Sequence, residues 1–181
     1  MGLRYLFIIF ACVVSGVAFS QDTQFSQLYA VPLHMGPSFA GATGGTRVSA
    51  IIRDQWPAVD REYISYSLSA DHYFEGTNSG IGGVILRDHS GMGNLTTTNF
   101  TFQYSYLLNM GLVAIRPGIQ FSFVNRQIDY SRIIFGDQLS LDGVKPASIE
   151  PQLNTSIFYL DFGASVLANV KNFWIGLCFN H

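Results

Sequence analysis

Between residues 95 and 123, bulky apolar side chains alternate with small or polar ones. Phe100, Phe102, Tyr104, Tyr106 and Leu108 share one parity; Thr97, Asn99, Thr101, Gln103 and Ser105 share the other. A tight break follows at Asn109, Met110 and Gly111. The alternation then resumes, with Val113, Ile115, Ile119, Phe121 and Phe123 against Ala114, Gly118, Gln120 and Ser122. Successive side chains on a strand point to opposite faces, so each segment predicts a strand with one apolar and one polar face. Both exceed the roughly 5–6 residues of an ordinary strand and reach the roughly 9–11 that a tilted strand needs to cross a bilayer.

The same period recurs along the chain. Strands are predicted over 47–53, 62–74, 81–87, 95–108, 112–125, 156–170 and from 173 onward. In the second, Ile64, Tyr66, Leu68 and Ala70 oppose Ser65, Ser67 and Ser69. In the sixth, Phe158, Leu160, Phe162 and Ala164 oppose Asp161, Gly163 and Ser165. Connections at 109–111 and 171–172 are tight, whereas 127–155 is long. Seven of the 22 charged residues lie between Arg126 and Glu150, which places that connection in water. Outer-membrane barrels have short periplasmic turns and long extracellular loops. The long connection is therefore assigned outside, and the tight turns and the segment before the first strand to the periplasm.

The predicted fold is all-β, a transmembrane antiparallel outer-membrane β-barrel. About seven strands make an incomplete set, because bacterial barrels use even numbers from about eight upward. The chain stops at His181 inside a strand-like run, and an unclosed barrel leaves unpaired edges in lipid. Residues 46–181 are accordingly read as a partial barrel truncated at its C-terminus. The competing reading is a soluble β-sandwich, which also alternates. Long strands and scarce charges favour the barrel.

The N-terminus predicts export to the outer membrane. Arg4, an apolar run over 6–14 and the small-x-small site Ala18, Phe19, Ser20 form a signal peptide over 1–20. Residues 21–45, with Pro32, Pro37 and several glycines, predict an irregular periplasmic segment. Hydrophobic residues make up 48% of the chain and charged ones 12%, about half the usual charged share. Outside the signal no run of ~20 apolar residues exists to span as a helix. Without a cluster of Lys/Arg interleaved with aromatics, nucleic acid is not an expected partner.

Candidate chemistry is sparse. Asp88, His89 and Ser90 are the residue types of a catalytic triad, but neighbours on a strand point to opposite sides and do not converge. His34, His72, His89 and His181 lack metal-ligand spacing. Signal cleavage would leave Cys178 as the one cysteine, which excludes an intramolecular disulfide. No catalytic residue, cofactor or metal is expected. Asp161 and Arg116 fall on the polar parity in mid-strand and are candidates to line a lumen. By the same parity, Phe121→Arg is expected to be costly and Ser122→Arg mild.

Phe25, Ser26, Gln27, Leu28 and Tyr29 are followed by Pro32 and Leu33. Gly36, Pro37, Ser38, Phe39, Ala40 and Gly41 come next, then Arg53, Asp54, Gln55, Trp56 and Pro57. This series resembles the start of the PorP/SprF family, outer-membrane proteins of type IX secretion and gliding motility in Bacteroidota. Ser67, Asp71, Gly80 to Gly83 and Tyr104 to Tyr106 extend the resemblance. Gly36 departs from it, standing where the family usually has Asn. The chain resembles the N-terminal part of longer family members.

The family-motif residues are thus Phe25, Ser26, Gln27, Pro32, Pro37, Phe39, Gly41, Arg53, Gln55 and Trp56. Trp56 reads as an interfacial belt residue or a loop anchor. The resemblance implies a non-enzymatic barrel that assists export or surface attachment of a cognate adhesin or other type IX cargo. Its expected partners are that cargo, secretion-system components and outer-membrane lipid. The alternative is a passive porin or hydrophobic-solute transporter.

Overall fold

The computed structural model describes residues 28–56, 63–91, 95–129, 133, 135–140, 143–144, 148, 156–171 and 173–180. The predicted signal peptide and Phe25, Ser26 and Gln27 lie outside the described residues. The strands are β1 (Thr46–Gln55), β2 (Tyr63–Phe74), β3 (Ser79–Ser90), β4 (Leu95–Tyr106), β5 (Leu108–Met110), β6 (Val113–Gln127), β7 (Leu139–Ser140), β8 (Gly143–Val144), β9 (Ser156–Val170) and β10 (Phe173–Asn180). The seven long strands fall where the alternation predicts them.

All seven pair antiparallel in one sheet, in the order β1-β2-β3-β4-β6-β9-β10, with β5 extending β4 alongside β6. Strands β7 and β8 form a small separate hairpin in the long connection, which the sequence pattern does not anticipate. No helix among the described residues is long and apolar enough to cross a membrane, which says nothing about strands.

The break between β4 and β5 has a local cause. Ser105 pairs with Gly118 and Leu108 with Ile115, so the gap lies opposite Arg116 and Pro117. Proline has no N–H to give to a ladder. Leu107 turns away there, and its N–H donates to the Asn78 carbonyl at 2.8 Å.

Burial runs opposite to that of a soluble sheet. Ser105 and Ser122 are each 1% exposed, whereas Phe102 and Ile119 are 63% and 62% exposed. The polar parity is the covered one because the N-terminal segment packs on it. This segment is a series of short turns: a 3-10 turn at Leu28–Ala30, helix α1 (Pro32–Met35) and a second 3-10 turn at Pro37–Phe39. Pro32 and Pro37 each open a turn, where a preset φ helps and a missing N–H costs nothing. Leu33, Ala40 and Val84 form a small apolar cluster between segment and sheet.

The segment also reveals the curvature. Gly36 lies against Cys178 on β10, and Gly41 against Tyr73 on β2. In a flat sheet those strands would be about 24 Å apart, five spacings of about 4.8 Å. Five residues span at most about 18 Å, and less when they include a 3-10 turn. The sheet is therefore curled into a half-barrel with its polar face concave.

Candidate functional site: the polar concave face and its N-terminal segment

The register brings small side chains from separate strands into one row. Gly80, Ser105, Gly118, Ser165 and Cys178 are successive cross-strand partners from β3 to β10. This row is a floor on which the backbone of 37–41 rests. A Cβ at Gly118 would lie 2.4 Å from the Ser38 nitrogen, and one at Gly80 2.1 Å from the Ala40 oxygen. Nothing larger than hydrogen fits at either place. Gly82, one row on, lies beneath Leu33 and Ala40.

Side chains of the sheet then bond the backbone of the segment. The Gln103 amide donates to the Leu33 carbonyl at 2.8 Å. Ser105 Oγ and Arg116 Nη1 donate to the Ala40 carbonyl at 2.7 and 3.0 Å. Ser38 N–H donates to Ser165 Oγ at 2.8 Å, and the two hydroxyls also pair. Gly41 N–H donates to Asp71 Oδ2 at 2.8 Å, while Arg47 Nε donates to Asp71 Oδ1 at 2.8 Å. Buried backbone groups outside a ladder need such partners, because each orphaned group costs about 1–3 kcal/mol.

Two side chains of the segment add contacts. Phe39 packs edge-on against Trp174 of β10 at 6.0 Å. His34 Nε2 bonds Ser67 Oγ at 2.8 Å, and burial pushes its imidazole below the usual histidine range. Arg116 stacks over the Tyr73 ring at 5.3 Å, a cation–π contact in a covered place.

The residues singled out from the sequence divide into groups. Pro32, Pro37, Phe39, Gly41 and Arg116 meet at this seat. Gly41 has φ 66°, the left-handed region, and its N–H bond to Asp71 accounts for the second of the later family matches. Arg53 and Gln55 sit toward the opposite end of the same face, where the Arg53 guanidinium donates to Gln55 Oε1. Trp56 follows β1 with φ 62°, held edge-on against Tyr63 at 5.5 Å. Asp161 pairs in register with Ser122 and is half-buried, and its Oδ1 accepts the Phe162 N–H. Asp88 and Ser90 bond each other on one face while His89 bonds Thr96, so the three do not converge.

The seat itself is absent from the sequence reading. Gly80 and Ser105 stand among the family matches and Gly118 and Ser165 do not, but only the register makes the four a row. Ser122 also differs from expectation. It is enclosed and bonded to Thr101 Oγ1 at 2.9 Å, so an arginine there meets a filled space rather than an open interior.

No curated protein and no solved structure matches the chain. A family model does, described as type IX secretion system membrane protein PorP/SprF, over residues 17–181. An alternating sheet with its polar face inward, in a chain matched over nearly its whole length, leads to one conclusion: this chain belongs to the PorP/SprF family of type IX secretion system membrane proteins.

Proposed function

We propose that this protein is an outer-membrane barrel that helps export, or holds at the surface, one cognate adhesin or other cargo of the type IX system. The observation that carries the proposal is the family match over 17–181. The outer face supports the membrane placement. Along β6 the outward residues from Val113 to Phe123 are all apolar, and Asn125 and Gln127 follow. Ten rises of about 3.3 Å, tilted by about 40°, make a band about 25 Å tall, the height of an outer-membrane barrel's apolar belt. The N-terminal segment joins β1 at the same end of the sheet as the tight turns 75–78 and 111–112, and we assign that end to the periplasm. The charged connection 127–155 then faces outward and is the surface best able to reach an extracellular partner.

The test is deletion of the complete gene followed by surface proteomics. One cargo should disappear from the surface while other secreted proteins persist. An unchanged surface profile with lost uptake of a small solute would favour a transport barrel instead.

A further inference from the structure

The N-terminal segment does more than line the concave face. It crosses that face from β9 and β10, where Gly36 meets Ser165 and Cys178, to β2, where Gly41 meets Asp71 and Tyr73. Its anchors come from β1, where the Arg47 guanidinium donates to the Phe39 carbonyl at 3.5 Å, and from β2, β4, β6 and β9. They are directed at backbone groups, over a floor of glycine, serine and one cysteine. A loop resting casually in a polar interior needs no glycine cut to its backbone. A segment meant to stay in one position does, because two chains approach closely only where side chains are missing. Small barrels fill their interior with side chains, and wider ones leave an aqueous channel unless something plugs it.

We propose that residues 31–41 are a resident plug, which stops the lumen of the assembled barrel to water and ions. The protein is then a closed barrel and not a pore. The proposal rests on the membrane-barrel reading and is independent of which cargo, if any, the barrel serves.

The geometry supplies its own reporter. An ideal Cβ on Gly36 would lie 3.1 Å from Cys178 Sγ. The same cross distance in a disulfide is about 3 Å, given the S–S length and bond angles. Gly36 has φ 158°, where a side chain is strained, and the new Cβ would also lie 3.1 Å from Ser165 Oγ. A Gly36→Cys variant that assembles in the membrane should link to Cys178 under mild oxidation, and the link should vanish when Cys178→Ser is added.

The experiment measures KCl current through the product of the complete gene in planar bilayers, after recovery of each variant from the membrane fraction. Wild type and oxidised Gly36→Cys should both be closed. Gly118→Val forces a side chain into the Ser38 backbone and should raise the current roughly tenfold or more, as an unplugged lumen does. If that variant fails to assemble, Ser105→Ala with Ser165→Ala removes two anchors without adding volume and carries the same expectation. A wild type that conducts as freely as the anchor variants overturns the proposal, as does failure of an assembled Gly36→Cys variant to link to Cys178 in intact membranes. Loss of cargo display with a closed wild type supports both readings. A closed wild type with unchanged cargo display keeps the plug and removes the cargo role.

Discussion

Asp71 concentrates the argument at the scale of single residues. It is 4% exposed and divides its two oxygens between the Arg47 guanidinium and the Gly41 N–H. Removing one partner of a buried charge pair leaves the other uncompensated, typically at 3–5 kcal/mol. Arg47 keeps 21% side-chain exposure, so part of its charge is solvated from outside. Asp71→Asn should cost about 3 kcal/mol in a detergent folding titration, at the low end of that range. A double-mutant cycle with Arg47→Gln should return a coupling well above that of a surface pair, about 0–1 kcal/mol. Coupling within that surface range would mean that the pair merely decorates the face. Asp71 and Gly41 were each visible in the sequence as matches to the family, but their contact was not, since 30 residues and a strand pairing separate them.

At the scale of elements, the strands were legible and the seat was not. A period of two marks a strand wherever one face is apolar, so β9 begins and ends, and β10 begins, where the pattern places them. The row of Gly80, Ser105, Gly118 and Ser165 depends on how four strands slide against each other, which no single segment encodes. The N-terminal segment carries proline and glycine signals that read as irregular chain, because one-turn helices have no periodicity to show. Its docking should depend on pH. His34 binds a proton less readily when seated than when free, since burial lowers its affinity. The released state therefore gains protons first as pH falls through about 6.5, and stability falls with it. Above that range both states hold a neutral ring and docking is at full strength. Protease protection of the segment should weaken between about pH 7 and pH 5, and His34→Gln should flatten that slope. A slope that survives the substitution would place the titrating group elsewhere.

For the whole molecule, depth along the strands becomes measurable. If the band from Val113 to Phe123 sits in the hydrocarbon, its centre falls at Pro117 and Ile119, not at Phe121. Ile119→Arg should then cost about 2–4 kcal/mol, Phe123→Arg less, and Asn125→Arg about 0–1 kcal/mol. Folding titrations into vesicles would read this gradient, and equal costs at the three positions would remove the bilayer from the explanation. The floor beneath the segment has another consequence, for how the molecule assembles. Ser38 and Ser165 are 127 positions apart, so the part of the chain made first finds its place only after β9 has joined the sheet. A slip of β6 by two residues would keep the faces correct yet bring Arg116 or Gln120 under Ser38 in place of Gly118. The opening residues thus act as a gauge: they lie down only on a sheet whose strands have stopped in the right place.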